Sequence, residues 1–131
     1  MNRIPILAHV RRRSSDTIAE MESRRLERDS NAEIEAVCRK LGGKLIRVQS
    51  GHVVVRGGRH MELAETGTPD RLLLLPDGLA IWLEQKRPGG RLSVEQIEWH
   101  EWARQHGHHV ATIESAADVV RAVNEARKEN S

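Results

Sequence analysis

Two acidic residues and one lysine, Asp70, Glu84 and Lys86, have the types and spacing that chemistry on a phosphate would require. Residues two apart in a β-strand project from the same face, so Glu84 and Lys86 are expected to point the same way. Asp70 begins the preceding strand, and the turn residues Pro76-Asp77-Gly78 predict a hairpin that brings Asp70 beside Glu84. Two carboxylates and one amine are therefore predicted to converge at one end of a sheet.

Such a group is suited to hydrolysis of a phosphodiester bond. Two carboxylates bind a hard divalent cation through oxygen, and the cation acidifies a bound water and polarises the phosphate. The amine of Lys86 is placed to orient or deprotonate the nucleophile and to offset charge in the transition state. The spacing alone fits equally well an exposed ion pair between Glu84 and Lys86, with Asp70 in an ordinary turn.

The hydrophobic pattern predicts the elements that position these residues. A helix ends at Gly42-Gly43, and the pattern then changes to the alternation of strands. A further helix is capped by Ser93 with Gln96 three residues later. The predicted order is a helix, strands 44–49, 52–55 and 59–63, the hairpin 71–86, a helix, the strand 109–113 and a last helix from Ser115. One βαβ crossover joins 79–86 to 109–113, and the fold class is α/β.

Composition limits the class of protein without identifying it. The chain has 131 residues, a formal net charge of +2 and a single cysteine, Cys38, so it is expected to form one domain with no internal disulfide. No apolar run approaches the ~20 residues of a membrane span. The apolar stretch 4–7 is too short for a signal peptide, which predicts a cytoplasmic protein with no membrane partner.

The first 26 residues are polar and rich in arginine, with Arg11-Arg12-Arg13 as the densest cluster. They are predicted to form a basic arm or helix, either solvated or in contact with phosphate. The main domain is predicted over residues 27–126, and residues 127–131 form a polar tail.

Three motifs, in order, resemble the VRR-NUC family, a branch of the PD-(D/E)XK nuclease superfamily. Segments 47–51 and 110–120 also resemble that family, and the resemblance spans roughly residues 32–123. The motifs are Gly67-Thr68-Pro69-Asp70-Arg71, Glu84-Gln85-Lys86-Arg87-Pro88-Gly89-Gly90-Arg91-Leu92-Ser93 and Gln96-Ile97-Glu98-Trp99-His100.

The resemblance implies a fold, an activity and a set of site residues. It implies a restriction-endonuclease-like core of αβββαβ order, with a mixed central sheet flanked by helices. Asp70 and Glu84 would bind Mg²⁺ or Mn²⁺, with the Gln85 carbonyl as a further ligand. Lys86 would be the catalytic lysine, and Gln96 would lie near the catalytic centre. Members of the family act on branched or flapped DNA such as Holliday junctions and flaps, and small stand-alone members occur in phages and often dimerise.

The family also places a glutamate near the start of the first helix, and two residues compete for that position here. Helix length counted back from Gly42-Gly43 favours Glu27, which requires one helix continuing through from Arg24. The capping box Ser30-Asn31-Ala32-Glu33 would instead start the helix at about Asn31 and favour Glu33. The sequence leaves this open.

Arginines near the predicted site are candidates for contacts with the DNA backbone. Arg87 and Arg91 flank the glycine loop after the catalytic strand, and Arg47 lies on the first strand. Simple solvation explains them equally well. Two other functions remain open: a DNA-binding or assembly module that keeps the nuclease fold without activity, and a restriction-type enzyme that cuts a defined duplex sequence.

Overall fold

In the computed structural model, which describes residues 14–131 and their side chains from Thr17 onward, the chain forms three α-helices and six β-strands. The predicted arginine cluster at 11–13 lies outside the described residues. Within the described part, no helix is both long enough and apolar enough to cross a membrane. The elements are α1 (Ser14–Lys40), β1 (Lys44–Arg47), β2 (His52–Val54), β3 (His60–Glu62), β4 (Arg71–Leu74), β5 (Ala80–Gln85), α2 (Val94–Gln105), β6 (His109–Ile113) and α3 (Ala116–Glu129).

The central sheet has four strands in the order β1-β4-β5-β6. β4 pairs antiparallel with β1 and β5, whereas β5 pairs parallel with β6, as the crossover through α2 requires. The sheet is therefore mixed and flanked by helices, and α1, β1, β4, β5, α2 and β6 follow the predicted αβββαβ order. The predicted fold class is confirmed. β2 and β3 form a separate two-stranded sheet inserted between β1 and β4.

α1 is one continuous helix of 27 residues, so the start at about Asn31 suggested by the capping box is wrong. No proline or glycine interrupts this stretch, and serine and asparagine within a helix cost only a few tenths of a kcal/mol each. The predicted boundary between residues 26 and 27 remains a prediction, and α1 passes through it without a break. α3 extends to Glu129, into the predicted tail.

The core lies between the sheet and the helices α1 and α3. Leu73, Ile81 and Leu83 project from β4 and β5 onto this face, where Ile34 of α1 and Val119 of α3 cover them. Each such side chain, fully removed from water, contributes about 1.5–3 kcal/mol to folding. This packing anchors the strands whose ends carry the predicted site.

α2 covers the opposite face of the sheet. The rings of Trp82 on β5 and Trp99 on α2 meet edge to face with centroids 5.2 Å apart. Because side chains alternate along a strand, Glu84 shares the face of Trp82, toward α2, and Gln85 faces α1. The two faces of β5 therefore deliver different groups to the end of the sheet.

Candidate active site

The loop before β4 sets the position of Asp70. Gly67 has a φ of 97° and lies so close to α2 that a Cβ atom there would overlap the backbone carbonyl of Glu95. Only glycine satisfies both requirements. Pro69 is fully buried beside it. The loop is thus pressed against the first turn of α2, which holds Asp70 close to that helix.

Asp70 and Glu84 are brought together as predicted. The register of β4 and β5 pairs Arg71 with Leu83, so the residues just outside this pair are neighbours. The Gln85 backbone N–H donates to Oδ1 of Asp70 at 3.3 Å, and Nε2 of Gln96 donates to Oε1 of Glu84 at 2.7 Å. Gln96 therefore fixes the buried carboxylate from the α2 side.

The two carboxylates repel each other in a poorly solvated place. Glu84 is only 3% exposed. Burial, and then the negative charge of Asp70, raise the pKa of Glu84 to about 7, while the positive charge of Lys86 acts in the opposite direction. The pair thus carries an excess of negative charge that a bound cation would offset.

A cavity of about 690 Å³ opens beside this pair, between α1, the start of β4 and the end of β5. Asp70 and Lys86 line it, and Glu84 lies behind them against α2. The predicted DNA-contacting residues Arg87 and Arg91 line it as well, and Arg87 forms a salt bridge with Glu27. The cavity therefore combines acidic groups at its floor with cations at its rim.

The two candidate glutamates of α1 lie in different surroundings. Glu27 lines the cavity, and it shares the inner face of α1 with Asn31 and Ile34, four and seven residues further on. Glu33 is exposed and does not line the cavity. Arg47 also lies outside it, with its guanidinium 3.5 Å from Glu35. Of these three predicted residues, the fold brings only Glu27 to the site.

Two residues near the site were not singled out from the sequence. Glu114 follows β6 and lines the cavity, because the parallel strands β5 and β6 end at the same edge of the sheet. His100 lies one helical turn after Gln96, is 1% exposed, and has no hydrogen-bond partner for either ring nitrogen among the described residues. Burial, and then the charges of Arg104 and Lys86, lower its pKa and so favour the neutral ring. Both residues could have been found from the sequence. His100 lies four residues after Gln96, on the same face of the predicted helix, and Glu114 follows the strand that the predicted crossover places in the sheet.

The donor groups at the site fit a hard divalent cation. Asp70 and Glu84 supply two carboxylates whose negative charges repel each other. Oε1 of Gln85 is buried and has no hydrogen-bond partner in the described part of the chain. Mg²⁺ and Mn²⁺ prefer oxygen ligands of this kind. Across residues 14–131, no three His, Cys, Asp or Glu side chains cluster closely enough to hold an ion by themselves. A metal here would therefore depend on the carboxylate pair, with amide or carbonyl oxygens and solvent completing its shell.

Comparison with known proteins bears on the fold. No family model matches the chain. No curated protein matches it either. A solved structure described as "VRR_NUC domain" is similar, with a TM-score of 0.55 and 22% sequence identity over 76% of this chain and 95% of that one. The chain therefore has the fold of a VRR-NUC domain, which supports the resemblance found in its motifs.

Proposed function

We propose that this protein is a Mg²⁺- or Mn²⁺-dependent DNA endonuclease with Asp70, Glu84, Lys86 and Gln96 at its active site. The observation that carries the proposal is the pairing of Asp70 with the buried Glu84 beside an open cavity lined by Lys86. The likeness to a VRR-NUC domain supports the same reading. An ion pair between surface residues does not explain why one carboxylate is buried next to another.

Each side chain has a distinct role in this proposal. Asp70 and Glu84 would hold the divalent cation, which would acidify a water molecule and polarise the scissile phosphate. Gln96 keeps Glu84 in place through its amide. Lys86 orients the attacking water or accepts its proton and offsets the negative charge that develops on the phosphate. Arg91, at the rim, binds a backbone phosphate of the strand to be cut.

The preferred substrate is proposed to be branched or flapped DNA, met in replication, recombination or repair. This part rests on the family resemblance. A small domain with one site cuts one strand, so paired nicks across a junction require two copies related by symmetry. A homodimer therefore remains a prediction.

A cleavage panel tests the proposed activity. Flap, four-way junction, single-stranded and plain duplex DNA are each incubated with Mg²⁺, with Mn²⁺ and with EDTA. We expect metal-dependent cleavage of the flap or the junction in preference to plain duplex, and none in EDTA. No cleavage of any substrate, with DNA binding intact and no Mn²⁺ binding by calorimetry, would show an inactive DNA-binding module instead.

The glutamate on α1 gives a paired test. Glu27→Ala should lower the cleavage rate by about 10- to 100-fold, the usual cost of losing a group that supports a metal site, because Glu27 lines the cavity. Glu33→Ala is the matched control on the same helix and should leave the rate unchanged, because Glu33 faces solvent. A larger loss in Glu33→Ala than in Glu27→Ala would contradict this assignment.

A further inference from the structure

The hairpin formed by β2 and β3 stands apart from the central sheet. In the described chain its two strands form their own sheet, with Val53 opposite Met61 and Val54 opposite His60. Every residue of both strands is exposed. A two-stranded ribbon with no covered face is marginally stable in water. The hairpin therefore contributes little to the core and presents both of its faces to solvent.

Its exposed side chains include apolar ones. Val53 is 38% exposed, and Met61 directly opposite it, on the same face, is 48% exposed. Val54, on the other face, is 66% exposed. A hairpin that served only as a solvated connection would be expected to carry polar residues at these positions. The apolar groups thus mark a surface suited to contact with another molecule.

The base of the hairpin lies beside the candidate active site. The Ala64 N–H donates to the Gln49 carbonyl at 3.1 Å, which closes the hairpin at its base. The neighbouring Val48 N–H donates to the carbonyl of Asp70 at 2.8 Å. The hairpin therefore emerges from the edge of the sheet that carries the carboxylate pair.

The tip of the hairpin is basic. Arg56 and Arg59 flank the Gly57-Gly58 turn and are exposed, and neither guanidinium pairs with a carboxylate within residues 14–131. On the two strands the acidic residue is Glu62, which lies toward the base. The charge at the tip is complementary to phosphate.

We propose that the β2–β3 hairpin is a DNA-binding ribbon that holds the duplex next to the cleavage site. A two-stranded ribbon fits the major groove of DNA, where Val53 and Met61, which share one face of the ribbon, would meet apolar base edges such as thymine methyl groups. Arg56 and Arg59 would contact phosphates. From Gly51 to Gly57 the ribbon spans at most about 20 Å, so its tip reaches phosphates up to about six base pairs from its base. This inference rests on the proposed function, since it requires DNA at the cavity.

The test is DNA binding by the full-length protein, measured by fluorescence anisotropy on duplex and single-stranded DNA in EDTA over a range of salt concentrations. The double variant Arg56→Ala/Arg59→Ala should bind duplex about tenfold more weakly or worse, and the slope of log affinity against log salt should become shallower by about 2. Arg56→Lys/Arg59→Lys should restore most of the affinity, because a phosphate contact needs only a positive charge.

The matched control is Arg39→Ala/Lys40→Ala, which removes two exposed cations at the end of α1. Gly42, just after them, lies against Pro76, at the end of the sheet opposite Asp70. This control should bind like the wild type.

Three results would overturn the inference: wild-type affinity and salt slope in the hairpin double variant, an equal loss in the control, or a larger loss on single-stranded DNA than on duplex. The cleavage panel distinguishes failure of the DNA-binding ribbon from failure of the proposed nuclease activity. A wild-type protein that cuts DNA while the hairpin variant binds normally would refute the ribbon alone. Hairpin-dependent binding without cleavage in any metal would refute the nuclease alone.

Discussion

Replacing Lys86 by alanine should lower the rate of DNA cleavage by about 10²- to 10³-fold or more while leaving the fold intact. Lys86 directly follows β5 and lines the cavity, where it is half-buried and forms no salt bridge with a described residue, so its loss removes little from the core. In the proposed mechanism its positive charge offsets the negative charge that develops during phosphodiester cleavage, and removing one such group costs a rate factor of this size. The cleavage rate on the preferred substrate and the thermal unfolding midpoint are the two measurements.

Asp70→Asn tests the proposed metal-binding role of the same site. The variant keeps an oxygen that can accept the Gln85 N–H, so folding should be preserved, but it loses the charge that would bind the cation. Cleavage should fall as far as in Lys86→Ala. Lys128→Ala, an exposed lysine on α3, is the matched control and should cut at the wild-type rate. Cleavage near the wild-type rate in either site variant, in preparations free of contaminating nuclease, would refute the assignment.

Replacing Glu84 by glutamine should abolish cleavage and yet make the metal-free protein more stable at pH 8. Burial and the charge of Asp70 raise the pKa of Glu84 to about 7, whereas a glutamate in the unfolded chain titrates near pH 4.3. As pH rises through this window, the folded protein retains a proton that the unfolded chain releases, and folding stability is lost. Above pH 7 the charged Glu84 therefore costs about 1–3 kcal/mol, which glutamine removes.

The measurement is thermal unfolding in EDTA at pH 8 and at pH 5. At pH 8 the midpoint of Glu84→Gln should exceed that of the wild type by roughly 3–10 °C. At pH 5 the difference should narrow to about a third of this, because Glu84 is then protonated in the folded protein while most of the unfolded chains have already released that proton. Glutamine can still accept the hydrogen bond from Gln96. Glu125→Gln, at an exposed position on α3, should shift the midpoint little at either pH. A variant less stable than the wild type at both pH values would show that the buried charge of Glu84 does not destabilise the fold.

The same experiment with Mn²⁺ links stability to the proposed cation. Binding to the folded state alone raises the unfolding midpoint by mass action. The wild type should therefore gain stability from Mn²⁺ at pH 8, where Glu84 is ionised, and gain less at pH 6, where the proton on Glu84 weakens the apparent affinity by about tenfold. Glu84→Gln should gain little at either pH. An equal Mn²⁺ effect in both proteins would place the bound ion elsewhere.

The central pair of the site was predictable because it depends on local geometry. A strand repeats every two residues and a short turn pairs two adjacent strands, so the positions of Asp70 and Glu84 relative to each other follow from the chain between them. The capping box at Ser93 and Gln96 was also local, and it is present. The predicted βαβ crossover, and with it the parallel pairing of β5 with β6, follows from an equally general rule.

Contacts between residues far apart in the chain were decided only by tertiary packing. Glu27 reaches the cavity because α1 continues through the apparent capping box and turns the face of Ile34 toward the sheet. No short-range signal distinguishes it from Glu33, since both fit a helix. Likewise, the alternating pattern of 52–63 predicts a hairpin, but whether that hairpin joins the central sheet or stands free depends on which neighbours cover it. The sequence by itself determined that two carboxylates lie side by side, because a short hairpin fixes which residues of its two strands are neighbours. The folded structure determined which distant side chains surround that pair.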